Sequence, residues 1–222
     1  MCKYTVFILF SIMILIIFII LDNTKSIDHF SNPVINANPV NIIDNFITRD
    51  ECNSLIEMSK NRFQPSTIYS SASGSIDLKS RSSTNVYFKK SENILIEQIE
   101  EKISNLLQID IARIEPLQIA KYNKDQEYKL HYDYFDSNSN QFSNQRTHSV
   151  IIYLNDLDIQ DGGSTFFSLY KIRFFPYQGR AIYWNNSDQD GKLNNLSLHC
   201  GEPVLTDKTK YILTIWIRKD NI

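Results

Sequence analysis

From residue 113 onward, apolar and polar positions fall into short alternating or continuously apolar runs that are typical of β-strands. Segments rich in Asn, Asp, Gly and Pro separate these runs, and no helical periodicity intervenes. About eight strands at such spacing favour a sandwich, a barrel or a jelly roll. The runs are EPLQIAKY, YKLHYDYF, HSVIIYLN, STFFSLY, IRFFP, GRAIYWN, LSLHCG and KYILTIWIR.

Two helices are predicted ahead of this β-rich part. Thr48 and Glu51 match a capping box, which predicts a helix over about residues 49–60. A second helix is predicted over residues 91–109 with Ser91 as its cap, because apolar residues recur there at helical spacing. These residues are Ile96, Ile99, Ile103, Leu106 and Leu107. The fold class expected is therefore β-rich α+β, with two helices followed by a β-rich core.

The N-terminal part differs from the rest in composition. Residues 4–21 are apolar and uncharged, which is close to the lower limit of about 17–25 residues for a spanning helix. This run exceeds the usual signal-peptide core of about 7–15 residues, and no A-x-A-like site follows it. We therefore predict an uncleaved signal anchor over residues 1–21, a polar linker over residues 22–40 and one domain over residues 41–222. Cleavage of the segment and its orientation are left open.

Charge and cysteine content narrow the range of functions. The formal net charge is −2 and the pI is about 6.1, so no basic excess points to nucleic acid as a partner. The three cysteines, Cys2, Cys52 and Cys200, are widely spaced and form neither a zinc-type CxxC pair nor a disulfide framework. The Ser-rich segment 65–80 is predicted to be a loop or a mobile flap.

Histidine and aspartate occur two positions apart in KLHYDYF. Alternate residues of a strand point to one face, so His131 and Asp133 can reach a single point while Tyr132 faces away. His199, near another strand end, would complete a set of two histidines and one carboxylate, the facial triad of non-haem Fe(II) oxygenases. An H-x-D pair alone is weak evidence, and His148 is a less favoured rival for the third ligand.

Several linked motifs carry a family resemblance over about residues 41–218. In chain order these are DNFITRDECNSLIEMS, SRSSTNVYF, YNKDQEYKLHYDYF, QRTHSVIIYLNDLDIQDGGSTFF and GRAIYWNN, followed by NNLSLHCGEPVLTDKTKYILTIWIR. Together they resemble the prolyl 4-hydroxylase branch of the 2-oxoglutarate- and Fe(II)-dependent dioxygenases. The resemblance implies a double-stranded β-helix, a jelly-roll variant, and it implies that His131, Asp133 and His199 hold Fe(II).

The same resemblance implies a basic anchor for the far carboxylate of 2-oxoglutarate, usually ten residues after the distal histidine. In this chain Thr209 occupies that position, because VLTDKTKYIL carries one extra residue. Lys208 and Lys210 flank it, and Lys210 is the predicted anchor since TKYIL then aligns with the family's strand. Strand alternation alone does not separate the two lysines.

Other residues receive roles from the resemblance only. Tyr122 and Thr165 would line the co-substrate pocket. A peptide groove would be lined by four further residues: Tyr128, Arg146, Trp216 and Arg81.

The resemblance implies hydroxylation of peptidyl proline, with O₂ as oxidant, succinate and CO₂ as co-products and ascorbate as a supporting reductant. The expected substrate is a proline-rich or collagen-like chain, whose polyproline II shape suits aromatic grooves. Lysyl hydroxylation by the same chemistry is the first alternative, and a non-catalytic, membrane-anchored binder of proline-rich chains is the second. A type II single-pass protein with its domain in the endoplasmic reticulum lumen fits such substrates, and Asn185 and Asn195 would then be glycosylation candidates.

Overall fold

The apolar runs form two antiparallel sheets in a computed structural model, which describes residues 40–67, 77–136 and 143–222. The major sheet has seven strands in the order β1-β9-β6-β11-β4-β3-β2, and the minor sheet has four in the order β5-β10-β7-β8. The strands are β1 (Val40–Ile43), β2 (Gln64–Pro65), β3 (Thr84–Phe88), β4 (Leu117–Tyr122), β5 (Tyr128–His131), β6 (Arg146–Tyr153), β7 (Thr165–Phe167), β8 (Ile172–Phe174), β9 (Ala181–Asn185), β10 (His199–Gly201) and β11 (Lys210–Arg218).

Two α-helices accompany these sheets in the described part of the chain: α1 (Arg49–Ser59) and α2 (Ile94–Leu107). The predicted capping box of α1 is confirmed, since the Glu51 amide donates to Thr48 Oγ1 at 3.1 Å and the Thr48 amide donates to the Glu51 carboxylate at 2.6 Å. The predicted cap of α2 was wrong. Asn93 caps this helix by accepting from the Ile96 amide at 3.1 Å, whereas Ser91 has a φ of 49° and its amide donates to Glu100.

The major sheet is buried on both faces, which explains why its strands are almost continuously apolar. One face packs against apolar residues of α1 and α2, and the other packs against the minor sheet. In β6, for example, Val150 and Ile152 belong to the helix-side core while Ile151 and Tyr153 belong to the core between the sheets. This confirms the predicted β-rich α+β fold of jelly-roll type, with flanking helices.

The predicted anchor, most of the linker and part of the predicted loop over residues 65–80 lie outside the described residues. The first described strand starts at Val40, the last residue assigned to the linker. Among the described residues, no helix is both long enough and apolar enough to cross a membrane.

Glu100 offers a stability prediction because its carboxylate is 1 % exposed and one of its oxygens lacks a hydrogen-bond partner. Burial raises the pKa of Glu100, despite the bond from the Ser91 amide. The protonated form is thus favoured in the folded state, and this contribution to stability is lost as the pH rises through the raised folded pKa. We expect Glu100→Gln to raise the Tm at pH 7 by about 2–4 °C and to leave it unchanged at pH 4, as calorimetry would show. The exposed Glu101→Gln should change neither value, and a lower Tm for Glu100→Gln at pH 7 would contradict the argument.

Candidate active site

The two predicted histidine ligands lie directly opposite each other on the minor sheet. His131 ends β5, His199 begins β10, and the two are paired residues of the antiparallel register. Their rings are 4.3 Å apart between centroids. Because paired residues of neighbouring strands point to one face, this register brings two residues distant in sequence to one place.

Asp133 joins the histidines by a different route from the one expected. Strand β5 ends at His131, so alternation along a strand does not place Asp133. Its carboxylate nevertheless lies 3.7 Å from His131 Nε2 and 3.8 Å from His199 Nε2. The Ser149 hydroxyl donates to Asp133 Oδ2 at 2.6 Å, which ties this loop residue to β6 of the major sheet.

Hydrogen bonds fix the orientation of both imidazoles. His131 Nδ1 lies 2.7 Å from the Lys129 carbonyl oxygen, and His199 Nδ1 lies 2.8 Å from the Ser197 carbonyl oxygen. A carbonyl only accepts, so each Nδ1 carries the proton and each Nε2 keeps its lone pair for a metal.

The electrostatics of the cluster match the protonation states that metal ligands need. Burial, together with the neighbouring His199, lowers the pKa of His131 to about 3. Burial alone would raise the pKa of Asp133, but His199, His131 and Arg146 lower it to about 2. At neutral pH the site therefore offers a neutral imidazole at His131 and an ionised carboxylate, which are the forms that bind a metal ion.

The donor set fits Fe(II). One ligand atom from each of His131, Asp133 and His199 lies within 4.8 Å of the others, and imidazole with carboxylate is the donor chemistry of facial-triad iron sites. The cluster lines a cavity, and among the described residues no fourth ligand closes it, as expected for a catalytic site rather than a structural zinc site.

Lys210 and Lys208 occupy very different environments. Lys210 is 1 % exposed and lines the same cavity as the three ligands, and no described carboxylate lies within 4.0 Å of its Nζ. Burial lowers its pKa to about 7. Lys208 precedes β11, is half-exposed and pairs with Asp158 at 3.2 Å and Asp161 at 2.6 Å. Strand alternation does not apply to Lys208, because β11 begins at Lys210.

Tyr122 and Thr165 line this cavity together with Lys210. Tyr122 is paired with Lys210 across β4 and β11, and Lys210 Nζ lies 5.2 Å from the centre of its ring. Thr165 begins β7 just after Gly163, whose φ is +70°. A methyl group at Gly163 would lie 2.9 Å from the Leu157 side chain and 3.4 Å from Lys210 Cδ. Glycine is therefore needed there for both the backbone turn and the lysine stem.

A second cavity adjoins the first and is rich in aromatic side chains. Arg81, Tyr128, Asp133 and Trp216 line both cavities. Tyr128 stacks on the His131 ring with centroids 3.5 Å apart, and the Arg81 guanidinium lies 4.8 Å from the Tyr128 ring centre. The remaining residues of the second cavity are Thr67, Tyr87, Tyr132, Tyr134, Phe135 and Arg146.

Arg146 forms part of the wall of this second cavity. Its Nε and an Nη donate to the Glu115 carboxylate at 2.8 and 2.7 Å, and its guanidinium lies 3.8 Å from the Trp216 ring centre. A bidentate pair of this kind fixes the plane of the guanidinium. Arg146 therefore supports the Trp216 ring at the boundary of the two cavities.

Three residues near the site were missed by the sequence reasoning. Tyr132 was expected only to face away from the metal, and it lines the second cavity. Ser149 bonds Asp133, and Asn186 bonds Ser149 at 2.8 Å. A polar residue inside the apolar run HSVIIY was a signal for Ser149, but its partner could not be inferred from sequence.

Comparison with known proteins decides the family. The model of the 2OG-Fe(II) oxygenase superfamily matches residues 117–218. "Probable prolyl 4-hydroxylase 10" of Arabidopsis thaliana is 30% identical over 198 residues, covering 80% of this chain and 68% of that protein. The chain belongs to the prolyl 4-hydroxylase family. The matching part of the chain spans about two thirds of that family member and of "Prolyl 4-hydroxylase 5" from the same plant, which is 30% identical over 196 residues, covering 79% of this chain and 66% of that protein.

A solved structure of the prolyl hydroxylase family agrees with this assignment. The viral collagen prolyl hydroxylase of Paramecium bursaria Chlorella virus-1, solved as its 2OG complex, is 27% identical to this chain. It superposes with a TM-score of 0.68, covering 83% of this chain and 98% of the viral chain. This confirms the resemblance and the fold that were expected from the sequence motifs.

Proposed function

We infer that the protein is a 2-oxoglutarate- and Fe(II)-dependent dioxygenase that converts peptidyl proline to 4-hydroxyproline, with succinate and CO₂ as co-products. One observation carries this inference most directly. The three-residue metal cluster and the buried Lys210, which has no described carboxylate partner, line the same cavity. In this arrangement the cluster can bind a metal, and the cation can bind one end of a small dicarboxylate next to that metal.

In this function His131, Asp133 and His199 hold the iron, which when bound supplies the O₂ chemistry that side chains cannot perform. The protein's residues prepare the ligands. The Lys129 and Ser197 carbonyls fix the tautomers of His131 and His199. The aromatic Tyr128 covers one face of the His131 ring and limits the access of water to the site.

Lys210 binds the far carboxylate of 2-oxoglutarate. Its ammonium is buried without a carboxylate partner in the described structure, and such a charge is stabilised strongly when an anion joins it. The Tyr122 ring beside Lys210 and the Thr165 hydroxyl complete this end of the pocket. Tyr153 Oη lies 2.9 Å from Thr165 Oγ1 and 3.0 Å from the Phe174 carbonyl oxygen, so a buried contact holds the Thr165 hydroxyl in place.

The aromatic second cavity binds the peptide. Flat rings such as those of Tyr128, Tyr132 and Trp216 suit the apolar faces of a polyproline II helix. Arg81 is 5 % exposed and is held by Ser83 and Gln118 at 3.0 and 2.7 Å. Its position in both cavities makes it a donor for a peptide carbonyl next to the reacting proline.

We expect Tyr132→Ala to raise the KM for a proline-rich peptide about fivefold, the equivalent of one lost aromatic contact of about 1 kcal/mol. The KM for the co-substrate should not change, because Tyr132 lines only the second cavity. Steady-state succinate formation measures both constants. Tyr177→Ala is the matched control, since Tyr177 is exposed and lines neither of the two cavities. An increase in the co-substrate KM without a change in the peptide KM would show that Tyr132 acts on the co-substrate and not on the peptide.

Ascorbate is proposed as the reductant that keeps the iron in the Fe(II) state when turnover occurs without peptide. Its role rests on the family resemblance. Omission of ascorbate should shorten the linear phase of succinate formation, most of all without peptide. Equal progress curves with and without ascorbate would show that ascorbate has no role in turnover.

We also propose that residues 1–21 anchor the chain in the membrane and that the domain of residues 41–222 faces the endoplasmic reticulum lumen. The uncharged run 4–21 supports the anchor, and the secretory nature of proline-rich and collagen-like chains supports the compartment. Sealed microsomes containing the full chain should protect the domain from added protease until detergent is present. Digestion without detergent would reverse the proposed orientation.

The test of the function is turnover by the full-length chain with Fe(II), 2-oxoglutarate and peptides that contain proline, lysine or both. Mass spectrometry should find one added oxygen atom on proline, and amino-acid analysis should identify 4-hydroxyproline. Addition only to lysine would replace the prolyl assignment by lysyl hydroxylation. Binding of the peptide without succinate or an oxidised product would make the protein a non-catalytic binder.

A further inference from the structure

Asp133 is held in the site differently from the two histidines. His131 and His199 are paired residues of the minor sheet, whereas Asp133 follows the end of β5 and has no strand partner among the described residues. A metal ligand outside regular structure needs another constraint to stay within reach of its partners. The side chains that touch its carboxylate therefore decide how well the cluster is formed before a metal binds.

A chain of two hydrogen bonds connects this carboxylate to the major sheet. Ser149 Oγ donates to Asp133 Oδ2 at 2.6 Å, and Asn186 Nδ2 donates to Ser149 Oγ at 2.8 Å. Ser149 and Asn186 are both 0 % exposed. Ser149 lies in β6, which is paired on both sides with β9 and β11, so the chain ends on a rigid strand.

Hydrogen-bonding capacity fixes the direction of this chain. An ionised Asp133 only accepts, so the one hydroxyl proton of Ser149 is committed to the carboxylate. Ser149 Oγ can then only accept from Asn186, which must present its Nδ2 amide. Bonds aligned in one direction polarise and strengthen one another.

Asn186 is retained in the core at a cost. Its Oδ1 atom is buried and has no partner among the described residues, and an unsatisfied buried acceptor costs about 1–3 kcal/mol. Its backbone is fixed on both sides, since its amide donates to the Thr147 carbonyl at 2.8 Å and its carbonyl accepts from the Asn194 amide at 2.9 Å. A buried amide that satisfies one side chain and leaves its own oxygen unpaired indicates a role other than stability.

We propose that Ser149 and Asn186 are positioning residues that hold Asp133 Oδ2 to the major sheet and so present Oδ1 to the metal. No described residue donates a hydrogen bond to Oδ1, which lies 3.7 Å from His131 Nε2. The role rests on the proposed function, because it requires that the cluster bind a metal. It adds two residues to the site that touch neither the metal nor the peptide.

The test uses Co(II) alone as the probe and the full-length chain in detergent, with affinity measured by calorimetry and by the visible spectrum of bound Co(II). Loss of an outer partner of a metal ligand typically costs about 10–100-fold in affinity. We expect such a loss for Ser149→Ala and a smaller one for Asn186→Leu, which has the same number of side-chain heavy atoms as asparagine but no amide donor. Ser149→Thr, which keeps the hydroxyl, should restore wild-type affinity.

Ser59→Ala is the matched control, because Ser59 is equally buried and its hydroxyl donates to the Leu55 carbonyl within α1. It should bind Co(II) like the wild type. Ser149→Ala or Asn186→Leu binding Co(II) within twofold of wild type would overturn the proposal, and if Ser149→Ala does not fold, Asn186→Leu alone decides. A wild-type chain that binds no Co(II) would overturn the metal site itself and this role with it.

Discussion

Replacing Lys210 by alanine should raise the KM for the co-substrate 2-oxoglutarate by about 100-fold, because removal of one partner from a buried, hydrogen-bonded charge pair costs about 2–5 kcal/mol. The Lys210 ammonium is 1 % exposed, lines the metal cavity and has no described carboxylate partner in the protein. In the proposed function, the far carboxylate of 2-oxoglutarate is the anion that pairs with this cation. The measurement is succinate formation over a range of 2-oxoglutarate concentrations at saturating peptide.

The pH dependence of 2-oxoglutarate binding follows from the same lysine. Burial lowers the pKa of Lys210 to about 7 in the ligand-free protein, and only the protonated amine pairs with a carboxylate. The bound anion raises this pKa, so between the two values each pH unit should weaken 2-oxoglutarate binding roughly tenfold. Binding should therefore weaken as the pH rises above 7, and an affinity that is constant from pH 7 to 9 would contradict this protonation scheme.

Lys208→Ala is the matched control for Lys210→Ala. Lys208 is half-exposed, pairs with the exposed Asp158 and the buried Asp161, and does not line the metal cavity. Its loss should leave the co-substrate KM within twofold of wild type. An increase confined to Lys208→Ala would show that the extra residue of TDKTK had been placed on the wrong side of the anchor.

Replacing His199 by alanine should lower kcat by at least about a thousandfold, which corresponds to about 4 kcal/mol. His199 is 3 % exposed and supplies one of the three ligand atoms of the cluster. Co(II) binding should be lost together with turnover, while far-ultraviolet circular dichroism should remain that of the wild type. Both readouts are needed, because a folding defect would remove activity without testing the ligand.

His148→Ala is the control for the His199 variant. His148 was the rival third ligand in the sequence, but the structure places it in β6 with its Nδ1 at 3.0 Å from Thr147 Oγ1, outside the metal cluster. Metal binding and kcat should stay within about threefold of wild type. If His148→Ala lost Co(II) binding while His199→Ala retained it, the third ligand would be His148 and the assignment to His199 would be wrong.

Local rules predicted the elements whose stability is local. The Thr48 capping box places the start of α1, and the run KYILTIWIR coincides with β11. The same rules failed where a residue elsewhere in the chain determines the local structure. Ser91 resembles a cap, but its amide donates to Glu100 two turns into the helix, so Asn93 becomes the cap.

In the candidate active site, too, local sequence features predicted some residues correctly and contacts with distant residues determined the others. His131 and His199 were predicted from residue types and motif order, and strand pairing brings them together. The predicted proximity of Asp133 was right, but the expected cause was wrong, because β5 ends before it and Ser149 holds it. The difference between the two lysines depends on distant residues, because Lys208 pairs with the buried Asp161 whereas Lys210 lines the metal cavity. Sequence spacing alone carries no information about such a partner.

Turnover under isotopically labelled O₂ is the most direct test of the proposed reaction, in which this chain splits O₂ between a peptide and 2-oxoglutarate. The full-length chain would be supplied with Fe(II), 2-oxoglutarate and a proline-rich peptide, and both products would be analysed by mass spectrometry. We expect one labelled oxygen atom in 4-hydroxyproline and one in succinate, with the two products formed in equal amounts. Succinate that carries no label would contradict this reaction. So would a peptide that stays unmodified after incubation with intact, Fe(II)-loaded protein.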